Sequence, residues 1–249
     1  MGHVIALAGK GGTGKTTLAA LIIRFLKEKT KKQVLAIDAD PNSNLADSLG
    51  LKAEETIGSI LDNISANPES LPSGMSKDRF IEYKIQTAIQ EGEGFDVLTM
   101  GRPEGPGCYC YVNNVLRNIM AKLIRDYDFV VIDNEAGLEH LSRRTTRQAD
   151  TLIIVSDPTK VGLVAAQRIN DISRDLKLKV GSRYLLINKC HGDNAVEYKT
   201  DGLDTLGCIP GDPAIEEISV KGQSLLGLKN SSPALKQLFE LGEKVWRKN

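Results

Sequence analysis

Short runs of apolar residues recur along the chain and alternate with longer segments that have helical spacing. Six of the runs have the length and composition of buried β-strands, and they lie at residues 3–8, 33–38, 95–100, 129–133, 151–155 and 184–188. Strands that are apolar on both faces are typical of parallel sheets covered by helices on each side. The pattern therefore predicts an α/β fold in which a mostly parallel sheet has helices on both faces.

Helical patterns fill the intervals between these strands. Residues 17–26 have such a pattern directly after the first strand, and residues 233–246 form an amphipathic pattern that we expect to pack on the core. Between residues 45 and 94 the pattern is weaker, and a stretch rich in Pro, Ser, Gly and Asn at 65–76 indicates helices joined by a surface loop. We expect this insertion to belong to a single domain that spans residues 1–249.

The charge balance argues against two classes of partner. The chain has 32 Lys and Arg residues against 32 Asp and Glu residues. Zero net charge disfavours broad electrostatic binding to nucleic acid or to an anionic membrane. The N-terminus lacks a signal-peptide pattern, and no apolar stretch approaches the roughly 18 residues of a membrane span. We therefore expect a cytoplasmic protein whose four cysteines are thiols or metal thiolates and not a disulfide framework.

The strongest chemical signal is a glycine-rich loop between the first strand and the first helix. Residues 9–16 match the phosphate-binding pattern G-x-x-x-x-G-K-[ST], whose backbone N–H groups turn inward onto a pyrophosphate. The predicted nucleotide contacts in this loop are Gly11, Gly12, Thr13, Gly14, Lys15, Thr16 and Thr17. Lys15 is expected on the β and γ phosphates, the Thr16 hydroxyl on Mg²⁺ and Thr17 on the α-phosphate. The sequence therefore predicts nucleotide hydrolysis.

Carboxylates that follow two of the predicted strands suit a magnesium site. Asp38 and Asp40 stand at i and i+2 on a strand end, so both side chains are expected on one face. One of them can hold the water shell of Mg²⁺ while the other positions the attacking water. Asp133 closes a third apolar strand as a Walker-B aspartate does, and the turn at residues 134–137 is placed to sense the γ-phosphate.

Together these residues make the chain resemble the deviant phosphate-loop ATPases of the nitrogenase-iron-protein and cell-division-positioning (MinD) type, over nearly its whole length. The resemblance implies hydrolysis of ATP to ADP by a homodimer in which Lys10 reaches the nucleotide of the partner subunit. It also implies that Asp40 orients the hydrolytic water, beside Lys10 and Lys15 as the other catalytic residues. By the same resemblance, the expected adenine contacts are Asn188, Pro210, Gly211 and Asp212.

A second site is indicated by two cysteines after the strand that ends near residue 100. Cys108 and Cys110 follow a stretch rich in Gly and Pro, which is typical of an exposed loop. Two thiolates one residue apart can face one metal ion, but a tetrahedral thiolate site needs four sulfurs. A two-fold dimer would supply the other two. Free thiols or a redox-sensitive loop are the alternatives at this position.

With this cysteine pair, the chain resembles most the nickel-insertion accessory ATPases of carbon monoxide dehydrogenase, the CooC type. The resemblance implies that Cys108 and Cys110 of two subunits bind one Ni²⁺ or Zn²⁺ at the dimer interface, and that carbon monoxide dehydrogenase is the client. The nitrogenase iron protein needs a further cysteine after the Walker-B strand, where this chain has residues 134–140 without sulfur.

Two other functions stay open at this point. Two thiolates per subunit also suit an iron–sulfur reductase whose cluster bridges the dimer. A partitioning or positioning ATPase would use its ATP-bound dimer on DNA or a membrane, and would leave the Cys-x-Cys loop unexplained. Cys190 and Cys208 lie in apolar surroundings and are interpreted as small buried hydrophobic residues.

Overall fold

The structure is a computed structural model that describes residues 2–67, 69, 71–101, 110–136, 148–190 and 200–246, with the backbone alone for residues 110–114. In this part of the chain, eight strands form one sheet in the order β3-β4-β2-β5-β1-β6-β7-β8. The strands are β1 (His3–Gly9), β2 (Val34–Ala39), β3 (Gln90–Gly92), β4 (Phe95–Thr99), β5 (Phe129–Asn134), β6 (Gln148–Ser156), β7 (Lys179–Cys190) and β8 (Asp204–Pro210). Their pairings are parallel, with the exception of β3 and β4.

Helices connect these strands and cover the sheet. They are α1 (Lys15–Thr30), α2 (Leu45–Ser48), α3 (Ile57–Ala66), α4 (Lys77–Thr87), α5 (Cys110–Leu123), α6 (Lys160–Asp175), α7 (Pro213–Val220) and α8 (Pro233–Val245), with a 3₁₀ turn at Leu225–Gly227. Among the described residues, no helix is both long and apolar enough to cross a membrane.

The two faces of the sheet bury separate apolar cores. In β1, Ala6 and Ala8 face the core that α3–α6 cover, whereas Ile5 and Leu7 face the core under α1 and α8. A strand buried on both faces has no polar alternation, and this explains the continuous apolar runs in the sequence. The predicted α/β class and mostly parallel sheet are confirmed. Strands β3 and β8 were not predicted.

Helix α1 lies at the centre of the core under α1 and α8. The predicted packing of the C-terminal helix on the core is confirmed there. The Phe25 ring contacts Phe239 edge-on with a centroid distance of 5.3 Å and Trp246 at 6.0 Å. Gly242 lets α8 approach this closely, since a Cβ atom at that position would lie 2.8 Å from the Phe25 ring. The C-terminal helix therefore fixes α1, which begins at the phosphate-binding loop.

A buried arginine on α1 holds the segment that precedes α8. Arg24 is 6% exposed, and its guanidinium donates to Glu28 Oε1 at 2.7 Å, to Leu228 O at 2.6 Å and to Asn230 Oδ1 at 2.8 Å. A buried guanidinium is tolerated only when its donors are paired in this way. Arg24 therefore joins α1 to the chain segment between the 3₁₀ turn and α8.

We expect Arg24→Leu to lower the free energy of unfolding by about 2–4 kcal/mol, because it leaves the Leu228 carbonyl and Asn230 without their donor. Arg168→Leu, at an exposed position on α6, is the matched control and should change stability by no more than about 0.5 kcal/mol. Urea unfolding followed by circular dichroism measures both. Equal losses in the two variants would contradict the role of Arg24.

Candidate functional site

The glycine-rich loop leaves β1 at the carboxyl edge of the sheet and enters α1 at Lys15. Its turns are organised around one carbonyl group, that of Lys10. Thr13 Oγ1 donates to Lys10 O at 2.9 Å, and Lys15 Nζ donates to the same oxygen at 3.4 Å. Lys15 is 7% exposed, whereas the Lys10 side chain is exposed. The two lysines of the loop therefore differ in environment: Lys15 is buried and Lys10 is exposed.

The carboxyl end of β7 holds the other side of the loop. Asn188 Nδ2 donates to Thr13 O at 2.8 Å, and Lys189 Nζ donates to Gly12 O at 3.3 Å. Gly14 has a φ of 89°, and a Cβ atom there would lie 2.4 Å from Asn188 Nδ2, so glycine is required on both grounds. The structure thus brings Asn188 to the nucleotide loop. Its predicted contact with adenine stays a prediction, and its amide donor is engaged by the loop.

Two carboxylates meet beside this loop because of strand register. Asp38 on β2 pairs with Asp133 on the neighbouring β5. Thr16 Oγ1 donates to Asp133 Oδ2 at 2.6 Å, and the backbone N–H of Leu45 donates to Asp38 Oδ2 at 2.8 Å. The structure therefore brings Thr16, Asp38 and Asp133 together, with a hydrogen bond between α1 and β5 and strand pairing between β5 and β2.

The environment of the two carboxylates fits a divalent cation. Burial raises the pKa of Asp38 to about 7 and that of Asp133 to about 6, with a further increase for Asp38 from the charge of Asp133. Asp133 Oδ1 is buried and has no hydrogen-bond partner among the described residues. Oxygen ligands of this kind are those that Mg²⁺ prefers, and a cation would offset the cost of burying their charge. Asp38, Asp133 and the Thr16 hydroxyl thus form a fitting donor set for Mg²⁺.

Asp40 has a different position from Asp38. It follows the end of β2, is half-buried, and accepts hydrogen bonds from the backbone and side-chain amides of Asn42, both at 2.9 Å. Burial is the largest cause of the raised pKa values of Asp38 and Asp133, and the negative charge of Asp40 is a smaller cause that acts in the same direction. Asp40 is therefore the more exposed acid at the edge of this cluster, and its role toward water stays a prediction.

The predicted adenine segment at residues 210–212 begins at the last residue of β8, next to the end of β7. The Gly211 N–H donates to Cys190 O at 3.2 Å. The Asp212 carboxylate caps α7 through the Ala214 N–H at 2.9 Å and also accepts from Ser232 Oγ at the start of α8. The Asp212 side chain is thus engaged at the starts of α7 and α8, and the contact of residues 210–212 with adenine stays a prediction.

Asp157 was missed in the sequence although it borders the loop. Gly9 pairs with Val155 on β6, so Lys10 and Asp157 follow neighbouring strand ends. Hydrogen bonds from Thr159 lower the pKa of Asp157, and the positive charges of Lys10 and Lys189 lower it further. The sequence feature that could have indicated Asp157 is the Asp-Pro pair directly after a buried strand.

The cysteines require one correction. Cys190 and Cys208 were interpreted as separate apolar thiols, but the structure joins them by a disulfide with a Cα–Cα distance of 6.2 Å. Their strands are neighbours in the sheet, a proximity that their separation of 18 residues does not reveal. Both half-buried side chains pack against the core that α3–α6 cover, in keeping with their apolar surroundings.

The predicted thiolate metal site lies outside the described side chains. Cys108 is not among the described residues, and Cys110 is described only as the first backbone position of α5. Within the described side chains, no group of three or more His, Cys, Asp or Glu residues is arranged to hold a metal ion. The Cys108 and Cys110 site therefore stays a prediction.

Comparison with known proteins finds relatives that match this chain over most of its length. A family model described as an AAA domain matches residues 2–182. An uncharacterized ATP-binding protein of Methanocaldococcus jannaschii is 42% identical over 98% of this chain and 99% of its own length. The carbon monoxide dehydrogenase accessory protein CooC of Rhodospirillum rubrum is 33% identical over 92% of this chain and 90% of its own. Among solved structures, the septum site-determining protein MinD of Pyrococcus horikoshii, complexed with Mg-ADP, has a TM-score of 0.70 at 23% identity and covers 98% of this chain and 96% of its own.

The raised pKa values predict proton release when Mg²⁺ binds. The metal-free folded chain keeps protons on Asp38 and Asp133 above the ordinary pKa of 3.8, so their contribution to stability is lost as the pH rises through about 6 and 7. Because Mg²⁺ needs ionised ligands, we expect Mg-ADP binding to release about one proton or more at pH 6 and almost none at roughly pH 8.5, with affinity rising between them.

Isothermal titration calorimetry in buffers of different ionisation enthalpy counts these protons, after correction for the ionisation of ADP. Binding of ADP in the presence of a chelator is the control, since it brings no cation to the carboxylates. A proton count that is the same at both pH values would show that the two acids are already ionised in the metal-free protein.

Proposed function

The chain belongs to the AAA-domain family of P-loop ATPases, and from this premise we propose that it is an ATP-driven metallochaperone that delivers Ni²⁺ or Zn²⁺ to carbon monoxide dehydrogenase. The single observation that carries the proposal is the presence, in one chain, of a complete nucleotide loop with the additional Lys10 and of the Cys108-x-Cys110 pair. The likeness over most of its length to a carbon monoxide dehydrogenase accessory protein supports the choice of client.

The nucleotide reaction follows from the geometry of the loop. The inward N–H groups and Lys15 bind the phosphates of ATP, and Thr16, Asp38 and Asp133 would hold Mg²⁺. When bound, Mg²⁺ supplies positive charge to the β and γ phosphates. Asp40, more exposed than Asp38, accepts a hydrogen bond from the attacking water and orients it toward the γ-phosphate.

Dimer formation is assigned to Lys10. Its carbonyl is fixed by the loop while its side chain is exposed, so the ammonium group is free to reach a second subunit. A cation supplied across an interface stabilises the charge that develops on a transferring phosphoryl group. ATP would then bind two subunits together, and hydrolysis would release them.

The metal cargo is assigned to Cys108 and Cys110. A two-fold dimer brings two such pairs to one axis and makes a set of four thiolates, the number that a tetrahedral site requires. The ATP cycle would close this site around the metal ion and open it again at the client enzyme. An iron–sulfur cluster bridging the dimer is the alternative occupant, and a positioning ATPase would have no metal there.

The test of the cargo is metal analysis of the protein purified without oxygen, loaded with nickel and passed over a sizing column with and without ATP. We expect one Ni²⁺ or Zn²⁺ per dimer, and loss of the metal in Cys108→Ser, Cys110→Ser. Cys190→Ser, Cys208→Ser is the matched control and should keep the metal. Iron with equal sulfide would identify a reductase instead, and an ATP-dependent dimer without metal would favour a positioning ATPase.

The two catalytic assignments predict opposite effects on the dimer. Lys10→Ala should keep ATP binding but lose ATP-dependent dimerisation, and hydrolysis should fall by about 10²-fold or more. Asp40→Asn should keep the dimer and slow hydrolysis by at least ~10²-fold, because the water is no longer oriented. Phosphate release and analytical ultracentrifugation with ATP measure the two properties.

Two further variants serve as controls for this experiment. Lys15→Ala should lose nucleotide binding itself, whereas Lys221→Ala, at an exposed position after α7, should behave as the unmodified protein. Normal dimerisation and turnover by Lys10→Ala would overturn its assignment to the partner's nucleotide.

A further inference from the structure

The disulfide between Cys190 and Cys208 lies at the nucleotide edge of the sheet. Cys190 is the last residue of β7, and it comes directly after Asn188 and Lys189, which hold the phosphate loop. Cys208 lies in β8, two residues before Pro210. The bridge thus joins the end of β7 to the end of β8, the two chain segments that border the nucleotide site on this side.

The bridge strengthens a place where strand pairing is weak. β8 is an edge strand, held in the sheet on one side by β7. The ladder between them is irregular here: Ile187 pairs with Cys208, and the next pair is Cys190 with Pro210. Pro210 has no N–H to donate, and the Gly211 N–H donates to Cys190 O at 3.2 Å. Because the strand pairing is irregular at this end, the covalent bond adds a constraint on Pro210 and Gly211 to the hydrogen bonds that hold Asp212 at the starts of α7 and α8.

The two cysteines are also placed so that they can change between the thiol and disulfide forms. Their Cα atoms are 6.2 Å apart, within the range that a disulfide spans without moving the backbone. Both residues are half-buried, so neither is enclosed in the core. Neither takes part in the donor sets assigned to Mg²⁺ or to the metal cargo, so their oxidation leaves those sites intact.

We propose that Cys190 and Cys208 form a reversible redox site whose oxidation tightens the binding of the adenosine end of ATP and ADP. The inference rests on the proposed binding of ATP and on the expectation from the sequence that Asn188 and residues 210–212 contact adenine. In the oxidised form β7 and β8 are covalently joined and hold both adenine contacts in place. In the reduced form the end of β8 is free to move, and nucleotide binding must order it.

The oxidant is a small disulfide of the glutathione class. The thiolate of one cysteine attacks the small disulfide, forming a mixed disulfide and releasing one small thiol. The second cysteine then loses its proton, attacks the protein sulfur of the mixed disulfide and releases the second small thiol. Two protein thiols are oxidised to one disulfide, and one small disulfide is reduced to two thiols, so electrons and protons balance.

The experiment uses the full chain with Cys108→Ser and Cys110→Ser, in which Cys190 and Cys208 are the remaining thiols of the four. Its Kd for Mg-ADP and for Mg-tripolyphosphate, a probe without adenosine, is measured after equilibration with glutathione disulfide or with a phosphine reductant. We expect the Kd for Mg-ADP to be roughly two- to tenfold lower in the oxidised form, because a preformed site loses less conformational freedom. The Kd for Mg-tripolyphosphate should be the same in both forms.

A variant with Cys190→Ser and Cys208→Ser in the same background should bind Mg-ADP as the reduced form does and be indifferent to glutathione disulfide. Photolabelling with 8-azido-ADP, followed by peptide mapping, tests the adenine assignment by itself. Labels at residues 188–190 or 210–212 together with equal Kd values for Mg-ADP in the two forms would overturn the redox site alone. Labels elsewhere would overturn the adenine assignment and the inference with it.

Discussion

Parallel pairing at the centre of the sheet is the constraint on which the rest of the site depends. Parallel strands end at the same edge, so residues distant in sequence meet there. The ladder of β1 with β6 sets Gly9 beside Val155, and the ladder of β2 with β5 sets Asp38 beside Asp133. A shift of one residue in the ladder of β2 with β5 would send one of the two carboxylates to the opposite face. The register of these ladders therefore sets which residues meet at this edge, and with it the chemistry of the edge.

The same edge of the sheet holds two buried carboxylates whose negative charge the protein alone does not balance. Asp38 and Asp133 are almost fully buried, and the ammonium group of Lys15 is the cation whose charge lowers the pKa of Asp133. Burial without sufficient positive charge raises the pKa of both acids, so the metal-free site retains protons that a cation would displace. Nucleotide binding brings the phosphates and Mg²⁺ together, and each is needed to offset the other's charge. The affinity of the site for a complete Mg-nucleotide is thus a consequence of what the fold buries.

The parts of the structure that the sequence predicted are those that depend on local signals. Central strands have continuous apolar runs, and the phosphate loop has fixed glycine and lysine spacing, so both were located correctly. β8 was missed because it is an edge strand with half-exposed residues and Gly207 in its interior, and β3 has only three residues. Asp157, Lys189 and the Cys190–Cys208 bridge are defined by contacts between separate strands. Such contacts follow from register and strand order, which a single sequence does not specify.

The phosphate loop also shows how distant strands define a local motif. A loop whose N–H groups turn inward to bind an anion must turn carbonyl groups outward, and those carbonyls need donors of their own. The donors come from both sides of the loop: Thr13 and Lys15 serve the carbonyl of Lys10, while Asn188 and Lys189 serve those of Thr13 and Gly12. The first pair lies in the motif, and the second comes from β7. The conformation of the glycine-rich loop therefore depends on the assembled sheet as well as on the motif, because the carbonyls of Thr13 and Gly12 take their side-chain donors from β7.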